Sequence, residues 1–231
     1  MNTVLVIRYK TLLMQRLLDL VQRGYHHYVY GTVHKSKVIS LCEKFDELYF
    51  ISDNARRRTY RKSKGEANAF FLISDLEKNG SLHWWLLVTD GRHPAHHLEK
   101  LFDAHSRGQR IRLTGYELVQ LTRDKVKGGG IRWTWRMMDT TYDEWRSAIR
   151  SAVRAKNNRM EIKRIVTSLY QTPGFGQTRI QVGKLATALK GEWVRAGNSV
   201  EDLMLPPTLH YVRRMADENF TVADWLKEHK E

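Results

Sequence analysis

Four runs of strand-forming residues lie between residues 67 and 138, and a helical pattern separates the first two runs from the last two. Closely spaced runs of this length are typical of strands that pair in one sheet. The last run alternates between apolar side chains and arginine or threonine, which predicts one apolar and one cationic sheet face. The four runs are Ala67–Ser74, Leu82–Thr89, Arg110–Arg123 and Ile131–Met138.

The segments around these runs predict an α+β fold. Thr11–Arg23 has the apolar spacing of an N-terminal amphipathic helix, Tyr25–Val33 is strand-like, and Lys37–Phe50 has a second apolar helical face. Another helix is expected from Pro94, a residue that suits the first helical turn, to about His105. The order from Tyr25 onward predicts an antiparallel sheet of ferredoxin-like order, βαββαβ plus one strand.

The C-terminal part of the sequence is predicted to be helical, because apolar residues recur there at helical spacing. We therefore expect an α+β sheet domain over residues 1–139 and a helical region over residues 140–231 that packs on the sheet. The expected helices are 141–158, Arg159–Gln171, Gln177–Ala196, Thr208–Ala216 and Val222–Lys230.

The composition favours a globular chain with a polyanionic partner. The 231 residues are 42% hydrophobic, which is enough for a core, and they carry a formal net charge of +14. This surplus points to nucleic acid and, less strongly, to an anionic membrane surface. The single cysteine, Cys42, excludes a disulfide framework and falls on an apolar helix face. The apolar run Val4–Ile7 is too short for a signal peptide or a membrane span, so we expect a cytoplasmic protein.

Residues 52–66 have no apolar periodicity and are predicted to form a basic loop. An aromatic ring among guanidinium groups, here Tyr60, suits contacts with both phosphates and bases. The alternative is a solvated run of like charges. The candidate nucleic-acid-binding residues of this segment are Arg56, Arg57, Arg58, Tyr60, Arg61, Lys62 and Lys64.

Two further regions supply candidate contacts to nucleic acid. The first is the predicted hairpin at residues 125–130, whose basic tip is followed by the cationic face of the last strand. The second is the helix pair around the turn Pro173–Gly176, which fits a helix-turn-helix, with a plain helical hairpin as the alternative. The candidates are Lys125, Lys127, Arg132 and Arg136 at the hairpin, and Arg179 and Lys184 on the second helix.

Aromatic side chains are expected on the sheet face opposite the predicted helices. Tyr28, Tyr30 and Trp85 fall on that face by strand alternation. Single-strand binders stack bases on such residues, and each stacked base contributes roughly 1–3 kcal/mol. The alternative is that the C-terminal helices cover this face and make the rings part of the core.

No motif for catalysis, metal binding or cofactor binding is present in the sequence. The ten histidines are scattered without the spacing of a zinc site, and Gly128–Gly130 lacks the following helix that a phosphate-binding loop needs. We therefore predict no catalytic residue, no metal ligand and no cofactor.

The strand 81–85, with His83 at its centre, permits one comparison with known families. In its predicted strand order and its basic, Tyr- and His-rich composition, the region 25–138 resembles the endonuclease core of rolling-circle replication initiators and conjugative relaxases. Those proteins hold a divalent metal with a His-hydrophobic-His strand and cleave DNA with a helical tyrosine. Here only one of the two histidines is present. The resemblance therefore implies a DNA-processing context in a mobile element rather than an active nuclease.

Three hypotheses follow for the function. The first is a non-enzymatic DNA-binding protein, with RNA as the second candidate ligand, that serves as an accessory factor in a nucleoprotein complex for transfer or replication of a plasmid or integrative element. The second is a metal-dependent DNA or RNA endonuclease on a ferredoxin-like fold. The third is a structural subunit whose charge has no specific partner.

Overall fold

The computed structural model describes residues 4–122, 126, 128–155, 159–217 and 220–229. The chain has an α+β fold and divides into two compact units. Unit 1 comprises Met1–Arg110 and Arg214–Glu231, and unit 2 comprises Ile111–Arg213. The C-terminal segment of the chain thus belongs to the same unit as the N-terminal sheet.

The helices and strands are numbered here in chain order. The helices are α1 (Lys10–Gln22), α2 (Val38–Tyr49), α3 (Ala55–Ser63), α4 (Ala95–Leu98), α5 (Asp139–Arg154), α6 (Arg159–Tyr170), α7 (Gly176–Arg195) and α8 (Val222–Glu228). The strands are β1 (Val6–Ile7), β2 (His27–His34), β3 (Ala69–Ser74), β4 (Ser81–Val88), β5 (Phe102–Asp103), β6 (Arg112–Leu113), β7 (Tyr116–Thr122) and β8 (Ile131–Met137).

Unit 1 contains a five-stranded mixed sheet in the order β1-β3-β4-β2-β5. The short edge strand β1 runs parallel to β3, and the other neighbours are antiparallel. One face of this sheet packs on α2 and α8, whose apolar residues Phe45, Tyr49 and Trp225 are buried with Leu82 and Leu86 of β4. The predictions of α1, β2, α2, β3, β4 and α8 are confirmed to within a few residues.

Polar groups fix α8 against the sheet of unit 1. The indole Nε1 of the fully buried Trp225 donates a hydrogen bond to Asp75 Oδ2 at 2.7 Å. Thr221 begins α8 with a capping box, because its hydroxyl accepts from Asp224 N while Asp224 accepts from Thr221 N. In the same core, burial raises the pKa of Cys42 to about 11, as expected for a packing residue rather than a reactive thiol.

Unit 2 contains a separate three-stranded antiparallel sheet in the order β6-β7-β8, together with α5, α6 and α7. Helix α7 covers the outer edge of β8, where strand backbone groups would otherwise lack partners. The Gln181 side chain donates to Met137 O at 3.0 Å and accepts from Met137 N at 2.7 Å, and the Thr178 hydroxyl donates to Trp135 O at 3.1 Å. Helices α5 and α6 were predicted and are confirmed.

The prediction that all four central runs form one sheet was wrong. Thr114 and Gly115 adopt positive φ angles of 43° and 81°, which turns β6 back on β7. The strand β8 then pairs with β7 over seven residue pairs, so the strands of unit 2 pair only with their neighbours in sequence. The division between the units consequently falls near residue 111, and not at the expected position 139.

Three local predictions were also wrong. Residues 55–63 form helix α3 rather than a loop, and the helix expected from Pro94 to His105 ends at Leu98. The region Thr208–Ala216 is not helical, because its backbone bonds to other segments: Leu209 O accepts from Arg179 Nε at 2.6 Å, and Val212 N donates to Gly174 O at 3.1 Å.

Candidate nucleic-acid interface

Helix α3 is formed almost entirely by basic and small polar residues. Its sequence, ARRRTYRKS, contains no acidic residue and no aliphatic residue larger than alanine. Arginine, lysine and alanine have high helix propensity, and Asn54 caps the first turn by accepting from Arg57 N at 3.0 Å. The absence of an apolar stripe hid this helix from the sequence, whereas the Asn54 cap and the helix-forming composition could have indicated it.

Two arginines of α3 anchor the helix to unit 1. Arg61 Nε donates to Asp53 Oδ2 at 2.6 Å, and its guanidinium carbon lies 4.1 Å from the ring centroid of Phe50. Arg58 donates to Ile51 O at 3.0 Å, and its guanidinium carbon lies 4.5 Å from the ring of Phe70. Because Asp53 is buried, the Arg61 contact compensates a carboxylate that is removed from water. These two candidates therefore have structural partners.

The other basic residues of the segment point into solvent. Arg56, Arg57, Lys62 and Lys64 are exposed, and Tyr60 is 64% exposed. Within the described part of the chain, no carboxylate pairs with Arg56 or Lys62, while Arg57 lies 3.5 Å from Asp53 Oδ1. The ammonium of Lys64 is 5.7 Å from the Tyr60 ring centroid, close enough for a cation–π contact. We call these five residues the α3 face.

An additional arginine, Arg92, is held beside the α3 face by backbone hydrogen bonds. Arg92 N donates to Gly65 O at 3.2 Å, and Ala67 N donates to Arg92 O at 3.1 Å. The preceding Gly91 has φ = 124°, and a Cβ at this position would lie 2.8 Å from Ala67 N, so this close approach requires glycine. Arg92 is exposed. Sequence reasoning missed it because the contact, centred on a bridge between Glu66 and Arg92, joins segments that are distant in the sequence.

Several histidines lie close to Arg92 in the sequence or at the start of β2. His27 Nε2 is 2.8 Å from Asp90 Oδ1, and the rings of His27 and His96 are 5.1 Å apart. Burial lowers the pKa of His26 and of His93, so both imidazoles tend to remain neutral. Among the residues that the structure describes, no group of three or more His, Cys, Asp or Glu side chains is arranged to hold a metal ion.

The structure leaves one of the three predicted stacking residues exposed. Tyr30 is 55% exposed, whereas Tyr28 and Trp85 are only 3% and 5% exposed. Tyr28 donates its hydroxyl to Gln109 O at 2.7 Å and lies against the ring of Phe102. Trp85 is on the central strand β4, flanked by Tyr30 and Leu72 on the two neighbouring strands. Bases therefore cannot reach the faces of Tyr28 and Trp85 in this conformation.

The candidates at the hairpin of unit 2 are not equivalent. Lys125 and Lys127 lie outside the described residues. Arg136 donates from Nε to Glu117 Oε1 at 2.7 Å, and Glu117 is buried, so Arg136 has a structural role on its strand. Arg132 is partly exposed and lines a groove of unit 2.

The start of helix α7, where the helix-turn-helix candidates lie, is mostly bound within unit 2. Thr178 and Gln181 contact β8 as described, and Arg179 donates to Leu209 O at 2.6 Å. Lys184 is exposed on α7. Because the first turns of α7 bind protein groups, this helix does not present them to a DNA groove, and the helical-hairpin alternative describes α6 and α7 better.

Comparisons of the chain with protein-family models, with curated proteins and with solved structures find no match. In the described part of the chain, no helix is long and apolar enough to cross a membrane.

Proposed function

We propose that this protein binds nucleic acid through the α3 face. The observation that carries the proposal is a helix with five basic residues and no acidic one, of which Arg56, Arg57 and Lys62 project into solvent. Cations that neutralise phosphates release condensed counterions, which gives such a surface affinity for any polyanionic strand. Tyr60 adds an exposed ring on which a base of a single strand can stack.

The composition of α3 favours nucleic acid over a membrane as the partner. A helix that lies in a membrane interface needs an apolar face that inserts between the lipids. Helix α3 has none, since Tyr60 is its only large side chain without a formal charge. Its anchors, Arg58 and Arg61, instead hold the helix on unit 1, so that the remaining basic residues project from a fixed backbone. A backbone that is already ordered loses less conformational entropy on binding than a disordered one.

The strand connections of unit 1 support a ferredoxin-like order as part of this proposal. The strands β2, β3, β4 and β5, with α2 and α3 before β3 and α4 before β5, pair in the antiparallel order β3-β4-β2-β5. The fourth position is taken by Phe102–Asp103, not by the run from Arg110 that the sequence suggested. We propose that this order, with an added edge strand β1, defines the unit.

We also propose a biological setting, on the basis of the resemblance to rolling-circle initiators and relaxases. The protein would act in the cytoplasm as a DNA-binding accessory factor, within a nucleoprotein complex that transfers or replicates a plasmid or integrative element. RNA remains the second candidate ligand. His83, the one histidine that matches the metal-binding strand of those families, lies 2.9 Å from Glu77.

A salt titration tests the α3 face. The variant Arg56→Gln, Arg57→Gln, Lys62→Gln removes three exposed cations and leaves the anchors Arg58 and Arg61 in place. The slope of log K against log salt should become shallower by about 2 to 3 on duplex DNA, because each lost phosphate contact contributes about 0.9. The measurement is fluorescence anisotropy with a labelled DNA from low to moderate salt.

The matched control removes the same charge from another surface of unit 1. Lys37, Lys44 and Lys100 are exposed and have no ion pair among the described residues, so Lys37→Gln, Lys44→Gln, Lys100→Gln has the same net charge as the first variant. The control should keep most of the wild-type slope. Equal slopes for the two variants would assign the affinity to net charge alone and refute the α3 face as the binding site.

A further inference from the structure

Unit 2 contains an open groove of about 780 Å³ that the proposed function does not use. Its volume is within the range of roughly 300–1,000 Å³ that is typical of small-molecule sites. The groove lies between helix α7 and the non-helical segment 205–211, and the end of the sheet closes one side. The polar and aromatic residues that line it include Thr122, Arg132, Tyr170, Arg179, Lys190 and Tyr211.

One face of α7 forms the floor of the groove. Gly176, Ile180, Gly183, Thr187 and Lys190 line it at intervals of three or four residues, as one helix face requires. A Cβ at Gly183 would meet no atom within 4 Å, so the space above this residue is empty. Glycine costs stability within a helix, and here its absence of a side chain deepens the groove.

The wall of the groove that faces α7 is formed by residues 205–211, and hydrogen bonds hold this segment in place. Val212 N donates to Gly174 O at 3.1 Å, and Leu209 O accepts from Arg179 Nε at 2.6 Å. A Cβ at Gly174 would lie 1.8 Å from His210 O, so the wall approaches the α6–α7 turn as closely as only glycine permits. Pro206 and Pro207 restrict the backbone further. The groove is therefore formed before any ligand binds.

The groove is cationic and has an aromatic side. Arg132, Arg179 and Lys190 contribute three basic groups, and none of the described lining residues is acidic. The guanidinium carbon of Arg179 lies 3.6 Å from the ring centroid of Tyr211, which is 67% exposed. Burial raises the pKa of Tyr170, so this phenol stays protonated and can donate a hydrogen bond.

We propose that this groove binds a nucleotide, with its phosphate against the basic groups and its base against Tyr211. The planar guanidinium group of arginine can bind a phosphate with two parallel hydrogen bonds. A base can stack on a tyrosine ring or on a guanidinium plane. The nucleotide is either free in solution or one unit of a strand, since both present the same chemistry. The inference does not rest on the α3 face, because the groove is built from other residues in the other unit.

Calorimetric titration with adenosine 5′-monophosphate tests the groove. Wild-type protein should bind this probe and should bind adenosine and inorganic phosphate more weakly, because each lacks one half of the contacts. Gly183→Trp places a large side chain into the empty space and should weaken binding by about tenfold or more, as expected when a charge-assisted hydrogen bond and stacking are lost. Val194→Trp places the same side chain at an exposed position of α7 that does not line the groove; it is the matched control and should bind as the wild type does.

Competition with a single-stranded oligonucleotide separates the two sources of the nucleotide. Displacement of the mononucleotide identifies the groove as part of a strand-binding path, and no displacement identifies a site for free nucleotides. The α3 triple variant should bind the mononucleotide normally whether or not the α3 face binds nucleic acid. The inference is refuted if wild-type protein does not bind the mononucleotide, if Gly183→Trp binds it equally well, or if inorganic phosphate binds equally well and Tyr211→Ala has no effect.

Discussion

The two cationic surfaces differ in how the protein holds their charges. On the α3 face, exposed arginine and lysine side chains project into solvent, while the neighbouring anchors Arg58 and Arg61 hold helix α3 on other groups of unit 1. In the groove of unit 2, Arg179 is fixed by Leu209 O and Tyr211 between two walls. A projecting surface can bind any polyanion that reaches it, whereas a recessed one selects ligands by size and shape.

The difference shows that net charge alone does not locate a binding surface. Arg61 and Arg136 both pair with buried carboxylates, those of Asp53 and Glu117, and so stabilise the fold. Arg56 and Lys62 have no such partner in the described part of the chain. Variants that mix the two kinds of residue would confound binding with stability.

We expect the largest effect from the wall of the groove. Gly174→Ala forces a Cβ to within 1.8 Å of His210 O unless the wall moves, and such a backbone collision should lower the free energy of unfolding by about 3 kcal/mol. The affinity for the mononucleotide should fall as well, because the wall is displaced, while the salt slope of DNA binding should stay unchanged. Urea denaturation of the full chain measures the stability.

The control for this variant is another glycine of the same unit. Gly183→Ala should raise the free energy of unfolding by about 0.5–1 kcal/mol, because alanine is the better helix former and meets no atom there. If Gly174→Ala were as stable as the wild type, the wall would not be fixed in the way described.

A smaller effect distinguishes anchors from free cations on α3. Arg61→Ala leaves the buried Asp53 carboxylate without its closest partner and should cost about 2 kcal/mol of stability. Lys62→Ala should change stability by less than about 0.5 kcal/mol and should weaken DNA binding instead. Equal losses of stability in thermal or urea unfolding would contradict the distinction between the two residues.

The smallest effect is a pH dependence that belongs to unit 1, which contains every histidine except His210. Burial lowers the pKa of His93, and the nearby His96 adds to the shift. The unfolded chain therefore binds the proton more readily, so this contribution to stability is complete above about pH 6.5 and is lost as the pH falls through the folded pKa.

The variant His93→Asn tests this dependence, because an asparagine oxygen can replace His93 Nδ1 as the acceptor from Ala95 N. Thermal unfolding at about pH 7.5 and pH 5.5 should show a smaller acid-induced loss for the variant than for the wild type. An identical loss in both proteins would remove His93 from the explanation. His26, whose pKa burial also lowers, should account for part of the remaining acid sensitivity.

The sequence predicted those elements that carry their own periodic signal. Apolar spacing predicted the α+β class and most of the longer elements. These are helices α1, α2, α5, α6, α7 and α8 and strands β2, β3, β4, β7 and β8. Helix α3 has no apolar face, so periodicity could not reveal it; its stability comes from the Asn54 cap, from helix propensity and from the Arg58 and Arg61 contacts.

Long-range contacts decided the features that the sequence could not predict. The choice between one sheet and two depends on pairing partners, and local hairpin pairing satisfied β6, β7 and β8 without the first sheet. The segment 208–216 has helical spacing, yet it forms no helix, and its residues Leu209 and Val212 bond to Arg179 and Gly174 instead. Among the candidate site residues, charge was visible in the sequence, whereas the partners that neutralise Arg61 and Arg136 were not.

The most direct test of the account measures both ligands on both surfaces in one experiment. The α3 triple variant and Gly183→Trp are each titrated with a duplex DNA over a range of salt and with adenosine 5′-monophosphate at fixed salt. We predict that only the α3 variant flattens the salt slope and only Gly183→Trp loses the mononucleotide. A variant that changes both, or a flattened slope in Gly183→Trp, would contradict the assignment of separate roles to the two surfaces.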